Sequence, residues 1–305
     1  MTQEKIGVLV MSYGTPESLD QVEAYYTHIR RGNPPSPEQL KELTDRYAAI
    51  VGGFFPLRQN TDNQFAGVQT MLDQLAPGKY VCYQGLKHAY PFVEDGIAQM
   101  AKDGIKKAIS ITLAPHYSVM SVGSYTKRAD EAAAEHGIAL TNIKNYHLNP
   151  LLIDALVERV EAGIAKFSAD EQENLKVLFT AHSLPTRILE MGDPYPEQLL
   201  ETSRAIAERV GWTNWQFAWQ SAGQTGVPWL GPDVLEEMAT LKEAGVDNVL
   251  VCPIGFVSDH LEVLYDLDIE AQQVAAELGM HLERTAMLNT DPRYMRLLAD
   301  EVIAV

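Results

Sequence analysis

Along this chain the hydrophobic positions gather into short apolar runs that end in glycine, proline or serine, with longer amphipathic stretches between them. The runs are Ile6–Met11, Tyr80–Tyr83, Ile109–Leu113, Lys176–Thr180, Gln216–Trp219 and Asn248–Cys252. Such runs, rich in β-branched residues, read as strands buried on both faces. The intervening stretches, such as Leu151–Phe167 and Pro232–Glu243, read as helices. Strand and helix in alternation predict an α/β fold with mostly parallel sheets, whose ligands sit at the carboxyl ends of the strands.

The two halves echo one another. Val8–Pro16 reads VLVMSYGTP and Val177–Pro185 reads VLFTAHSLP, which lays Pro16 on Pro185 and Tyr13 on His182. Ile109–Pro115 and Asn248–Pro253 form a second pair, each a strand ended by proline. The expectation is two similar α/β domains, residues 1–150 and 151–284, with Tyr13 and His182 at equivalent strand ends facing one cleft. The end of the chain, 285–305, is expected to pack back on the first domain through a helix at Pro292–Ile303.

Composition narrows the chemistry. The chain has 305 residues, 46% hydrophobic and 21% charged, which suits a globular protein of two domains. No apolar run reaches the ~20 residues of a bilayer span, and the N-terminal run is strand-length with no cleavage site after it. Cys82 and Cys252 are the only cysteines, too few for a four-cysteine cluster and consistent with a reducing cytoplasm. A net charge of −17 argues against nucleic acid as a partner. Residues 1–60 nonetheless carry six basic against seven acidic side chains, so an anionic ligand would be met there.

Three groups of residues carry candidate chemistry. In Asp259–Glu270 (DHLEVLYDLDIE), Glu262, Asp266 and Glu270 recur every four residues and form a carboxylate stripe on a helix. A solvated acidic face is the common fate of such a stripe. Here no Lys or Arg relieves the i,i+4 repulsion, and the segment follows a buried strand, so it suits a hard or borderline cation. His182 follows the apolar strand Val177–Thr180 and is either a hydrogen-bonded structural residue or, facing the stripe, a metal ligand and base. Tyr13, Tyr25, Tyr26, Tyr47, Tyr125, Trp219 and Trp229, with Arg30, Arg31 and Arg46, are core residues or the lining for a flat, apolar ligand bearing carboxylates. GxSxG, GxGxxG and GxxxxGK[ST] are all absent, which weakens hydrolase, dinucleotide and phosphate-loop readings.

Ordered stretches then add up to a family likeness. Gly7–Pro16 (GVLVMSYGTP), Tyr25–Gly32 (YYTHIRRG), Gly85–His88 (GLKH), Leu113–Tyr117 (LAPHY), Ala181–Pro185 (AHSLP), Asp193–Gln198 (DPYPEQ), Trp219–Ser221 (WQS), Pro228–Asp233 (PWLGPD) and Gly255–Asp266 (GFVSDHLEVLYD) run through nearly the whole chain. It resembles the bacterial ferrochelatases, above all the coproporphyrin III ferrochelatases of Gram-positive bacteria. The resemblance implies two Rossmann-like, chelatase-type domains around a porphyrin cleft, and insertion of ferrous iron into coproporphyrin III during heme biosynthesis. Protoporphyrin IX as the acceptor, another tetrapyrrole chelatase, and a non-catalytic tetrapyrrole carrier are the alternatives.

By position, the resemblance makes His182 and Glu262 the catalytic pair that binds iron. Asp266 and Glu270 become outer carboxylates for a hydrated divalent ion such as Mg2+. Tyr13 is implied as an iron ligand in the product, and Arg30, Arg46, Tyr47 and Tyr125 as porphyrin contacts. It also implies Fe2+ as substrate with no permanently bound cofactor, no iron–sulfur cluster and no membrane lip, in a cytoplasmic monomer. Two departures stand out. The family's GGxSPL reads VGGFFPL here, with one extra residue near Val51, and Phe55 replaces the serine that meets a propionate. Ala222 stands where close relatives have a glutamate.

Overall fold

The computed structural model describes residues 4–51, 55–223 and 225–305. The fold is α/β, and the strands of the described residues form two four-stranded sheets that are parallel throughout. The first contains β1 (Ile6–Ser12), β2 (Tyr80–Leu86), β3 (Lys107–Thr112) and β4 (Ala139–Ile143), in the order β2-β1-β3-β4. The second contains β5 (Leu175–His182), β6 (Trp215–Gln220), β7 (Asn248–Cys252) and β8 (His281–Arg284), in the order β6-β5-β7-β8. The sequence echo is therefore also topological, because β1 and β5 hold the same place in the two sheets, as do β3 and β7.

The chain folds into two compact units. One comprises Met1–Tyr146, Ser258–Leu261 and Asn289–Val305, and the other His147–Val257 and Glu262–Leu288. In the first, the helices Val93–Lys102 and Val122–His136 bury Ile97, Met100, Ala129 and Ala133 against Leu9, Met11 and Ala108 of the sheet. The last helix, Pro292–Ala304, is started by Asp291 and Pro292 and packs on the helix Pro56–Leu75. Gly67 makes that approach possible, since a Cβ there would stand 2.7 Å from Met295 Sδ. In the second unit, Leu178, Val249 and Val251 of the sheet meet Met238, Leu241, Val263, Leu267 and Ala275.

Local chemistry fixes the helix starts. Asn149 accepts from Leu151 N at 3.0 Å, and Asp233 with Glu236 closes a capping box, so the two expected helices run Pro150–Ile164 and Val234–Glu243. β4 and β8 lie outside the apolar runs. Both are short edge strands, ALTNI and HLER, exposed along one side, so they never need an apolar stretch.

The expected single helix over Asp259–Glu270 is not what forms. An α-helical turn at Leu261–Leu264 passes into a π-helix at Asp266–Ala271, followed by the helix Gln272–Leu278. The amide of Glu270 bonds to Tyr265 O at 2.9 Å, the i→i+5 bond of a π turn.

Candidate active site

In both sheets the chain runs outward from the second strand in one direction and then in the other. The reversal opens a crevice beyond the carboxyl ends of β1 and β3, and of β5 and β7, where open α/β sheets hold ligands. His182 is the last residue of β5, and Glu262 follows β7 on the α-turn. Gly255 lets the loop after β7 press onto the tip of β5: its amide donates to Thr180 O at 3.1 Å, and a Cβ would collide with the Ala181 methyl and lie 2.8 Å from Ala181 Cα. The sequence thus brings His182 Nε2 within 3.5 Å of Glu262 Oε1, with the two side chains 31% and 34% exposed.

His182 is held by its neighbours through both ring and backbone. Nδ1 bonds the Ser183 carbonyl, the Tyr195 hydroxyl donates to His182 O at 3.2 Å, and Trp229 stands 6.2 Å away, ring to ring. Because Nδ1 is occupied, Nε2 is the nitrogen turned to Glu262. Burial favours the neutral ring, but Glu262 outweighs it, helped by the Ser183 carbonyl and Asp266, and His182 is pushed up to about 9. Without a metal ion the imidazole therefore favours its protonated form, paired with the Glu262 carboxylate. Burial and then Glu262 raise the Tyr195 phenol as well, so it stays a donor.

Around this pair stand polar residues that the hydrophobic pattern does not mark, although the WQS stretch contains them. Gln220, fully buried at the end of β6, accepts from Thr180 Oγ1 at 2.8 Å and donates to Glu262 O at 2.8 Å, tying the ends of β5 and β6 to the turn that carries Glu262. Ser221 takes a left-handed φ of 59°, uncommon for a residue with a Cβ, and donates through Oγ to Asp266 Oδ2 at 2.5 Å. Their sequence signals are their position at a strand end and their place in the WQS stretch. Asp266 is buried and Glu270 half-buried on the π turn. Among the described residues no three or more His, Cys, Asp or Glu side chains converge as a metal cage. Of the four expected donors, the structure joins His182 and Glu262 directly, with Asp266 behind them.

The first unit has its own strand-end cluster. Tyr13 follows β1 and is 41% exposed; its ring lies 4.7 Å from His88, whose amide donates to Tyr13 O at 2.9 Å. Lys87 Nζ faces the rings of Tyr125 and Tyr13 at 5.0 and 5.9 Å. Burial, reinforced by Arg128, lowers Lys87 to about 8, and burial with Lys87, His28 and Arg128 lowers His88 to about 3. His88 Nδ1 lies 3.0 Å from His28 Nδ1. Neither Lys87 nor His88 stands out in the sequence, although both lie within the GLKH stretch.

The remaining expected contacts fall into two groups. Arg30 stacks on Tyr26 at 5.5 Å and donates to Asn33 O, and Arg46 is half-buried on the helix Pro37–Val51. Tyr47, Phe55 and Tyr125 are buried. Tyr47 and Phe55 pack 5.2 Å apart in a cluster with Val22, Tyr25 and Leu261, and Tyr47 Oη meets Thr15 Oγ1 at 3.3 Å. The extra residue near Val51 falls at Gly52–Phe54, outside the described residues.

No helix of the described residues is long and apolar enough to cross a membrane. The chain is 46% identical to a ferrochelatase of Herpetosiphon aurantiacus, covering 96% of this chain and 97% of that one. It is 44% identical to the coproporphyrin III ferrochelatase of Bacillus subtilis, covering 99% and 98%. Among solved structures, the sirohydrochlorin chelatase SirB from Bacillus subtilis subspecies spizizenii, in complex with cobalt, superposes with a TM-score of 0.58 at 10% identity, covering 98% of this chain and 94% of that one. SirB from Bacillus subtilis with Fe3+ gives 0.62 at 12% identity, with the same coverage. These two likenesses speak for the fold alone. The ferrochelatase family model matches residues 5–304, and with relatives this similar over almost its whole length the chain belongs to the ferrochelatase family.

Proposed function

We propose that this protein inserts ferrous iron into coproporphyrin III. The observation that carries the reading is the His182–Glu262 pair at the β5/β7 crevice, in a chain 44% identical to a coproporphyrin III ferrochelatase along its full length. Insertion exchanges one divalent ion for two pyrrole protons, so the site must pass both a metal and protons. Arriving iron displaces the proton shared by His182 Nε2 and Glu262, leaving a neutral imidazole and a carboxylate as its donors. When iron moves to the four ring nitrogens, the vacated pair takes up one pyrrole proton and returns to its resting state. The second proton leaves through the carboxylates, with Asp266 held in place by Ser221.

Tyr13 is the implied iron ligand, and it favours coproporphyrin. Arg30 and Arg46 suit the propionates, because a guanidinium binds carboxylates bidentately. Asp266 and Glu270 are assigned a hydrated divalent ion such as Mg2+, which keeps most of its waters and needs few direct ligands. Two buried free cysteines fit a monomer working in the cytoplasm.

The test is anaerobic insertion of Fe2+ into coproporphyrin III and, separately, protoporphyrin IX. Faster turnover of coproporphyrin III is expected, and equal or reversed rates would refute that substrate. His182→Ala should abolish insertion while porphyrin still binds, as read by quenching of its fluorescence. Near-normal turnover in this variant would remove the mechanism.

A further inference from the structure

The π turn behind the His182–Glu262 pair is gripped by a clamp that takes no direct part in binding. Arg284, which ends β8, lays its guanidinium on Asp268, with Nε to Oδ1 at 2.7 Å and Nη2 to Oδ2 at 2.8 Å. Its third nitrogen, Nη1, donates to Thr285 O at 2.9 Å, fixing the fork to the backbone beside it. The Arg284 side chain is 16% exposed and that of Asp268 37%, whereas those of Lys41 and Asp45, a pair on the helix surface, are 76% and 61% exposed. A two-pronged pair on a sheltered guanidinium fixes geometry, and a fully exposed single-pronged one does little.

What this clamp holds is an unusual turn. A π turn takes in an extra residue and is rare as a regular structure. Reversion of Asp266–Ala271 to an α-helix would rotate the residues on either side of it by about 100° relative to each other. Three attachments oppose that change. Ser221 holds Asp266 at the start, Gln272 Nε2 donates to Leu282 O at 3.0 Å at the end, and Arg284 holds Asp268 between them. Asp268 lies two residues from both Asp266 and Glu270, hence on the opposite side of the helix. A pull on Asp268 toward β8 therefore turns Asp266 and Glu270 the other way, toward Ser221 and the strand tips.

We infer that Arg284 is a positioning residue for metal handling: its fork on Asp268 sets the rotation of the π turn and so the stance of the Asp266 and Glu270 carboxylates. The inference deepens the iron-insertion reading and rests on it.

The experiment measures insertion by the full-length protein with Fe2+ and porphyrin varied in turn, for Arg284→Lys, Arg284→Met and Asp268→Asn. In the Met and Asn variants the KM for iron should rise about tenfold or more, as when the outer partner of a metal ligand is lost. The KM for porphyrin should stay within about twofold, the split expected when only the metal side is disturbed. Lysine, a charge without a fork, should fall between wild type and Met. Exchange of the Ile269 and Glu270 amides, both bonded to Tyr265 O, should quicken in Arg284→Met. If that variant fails to fold, the isosteric Asp268→Asn carries the same two readouts. An iron KM and amide exchange matching wild type in a folded variant overturn the inference. A wild-type protein that inserts no iron refutes the underlying reading instead, and the exchange measurement still decides whether Arg284 holds the turn.

Discussion

Raising the pH of the metal-free protein should tighten its hold on a divalent ion, because proton and metal contend for His182 Nε2. Ser183 occupies Nδ1, and Glu262 lies 3.5 Å from Nε2, so the imidazolium proton sits where the ion must bind. With His182 pushed up to about 9, the cation outnumbers the neutral ring about a hundredfold at pH 7, and displacing its proton costs on the order of 3 kcal/mol. Calorimetric titration of Co2+ into the protein, in a metal buffer, should show affinity rising about tenfold per pH unit from 7 toward 9, then levelling. Close to one proton should be released per ion at pH 7, visible as a dependence of the heat on buffer ionisation.

Glu262→Gln removes the strongest influence raising His182 and leaves burial opposing the charge. The His182 midpoint, followed by NMR of labelled histidine, should then fall toward the ordinary value of about 6.5. The sign for stability follows from the same shift. A group whose pKa is higher folded than unfolded stabilises fully below about 6.5 and loses that contribution as pH rises through about 9. Solvent at the one-third-exposed carboxylate screens the pair, so about 3 kcal/mol is an upper bound for the loss. Metal affinity that is flat from pH 7 to 9, or a wild-type midpoint near 6.5, would refute the reasoning.

Three further outcomes follow from the packing. Gly255→Ala drives a methyl into the Ala181 side chain and to 2.8 Å from its Cα, so thermal unfolding should show a loss of about 1–3 kcal/mol with reduced insertion. Tyr146 Oη donates to Thr112 O and meets Tyr294 Oη, each at 2.9 Å. Tyr294→Phe should therefore cost about 1 kcal/mol in urea unfolding, and Tyr146→Phe, which strands two buried partners, should cost more. Arg30→Ala should weaken porphyrin binding in a fluorescence titration without changing Co2+ affinity, and unaltered porphyrin affinity would show that Arg30 does not meet a propionate.

Much of the fold is legible because a parallel sheet buries its central strands on both faces. β1, β3, β5 and β7 are such strands, and their apolar runs are visible without any alternation. β4 and β8 escape because an edge strand is free to carry Thr, Asn, His, Glu and Arg on its open side. His182 is legible from its place at the end of an apolar strand, and Glu262 from the acidic period behind it. The protonation of that pair is not, because it depends on Glu262 arriving within reach of Nε2, with the Ser183 carbonyl and Asp266 in support, and spacing does not encode that. Lys87 and His88 are hidden for a related reason: β2 looks four residues long, whereas it runs to Leu86 and leaves them at its tip.

The π turn gives the clearest case of a pattern read correctly on the wrong geometry. Carboxylates at every fourth position drift steadily around an α-helix, because four residues overshoot a turn of 3.6. In a π turn four residues fall short, so the drift reverses. Glu262 to Asp266 lies largely on the α side of the junction and Asp266 to Glu270 on the π side, so the two drifts oppose each other. Glu262 and Glu270 consequently stand closer to one line than a plain helix would allow. The period of four announces a carboxylate row, and the change of helix straightens it. That straightening depends on Ser221, Gln272 and Arg284, three residues to which no acidic pattern points.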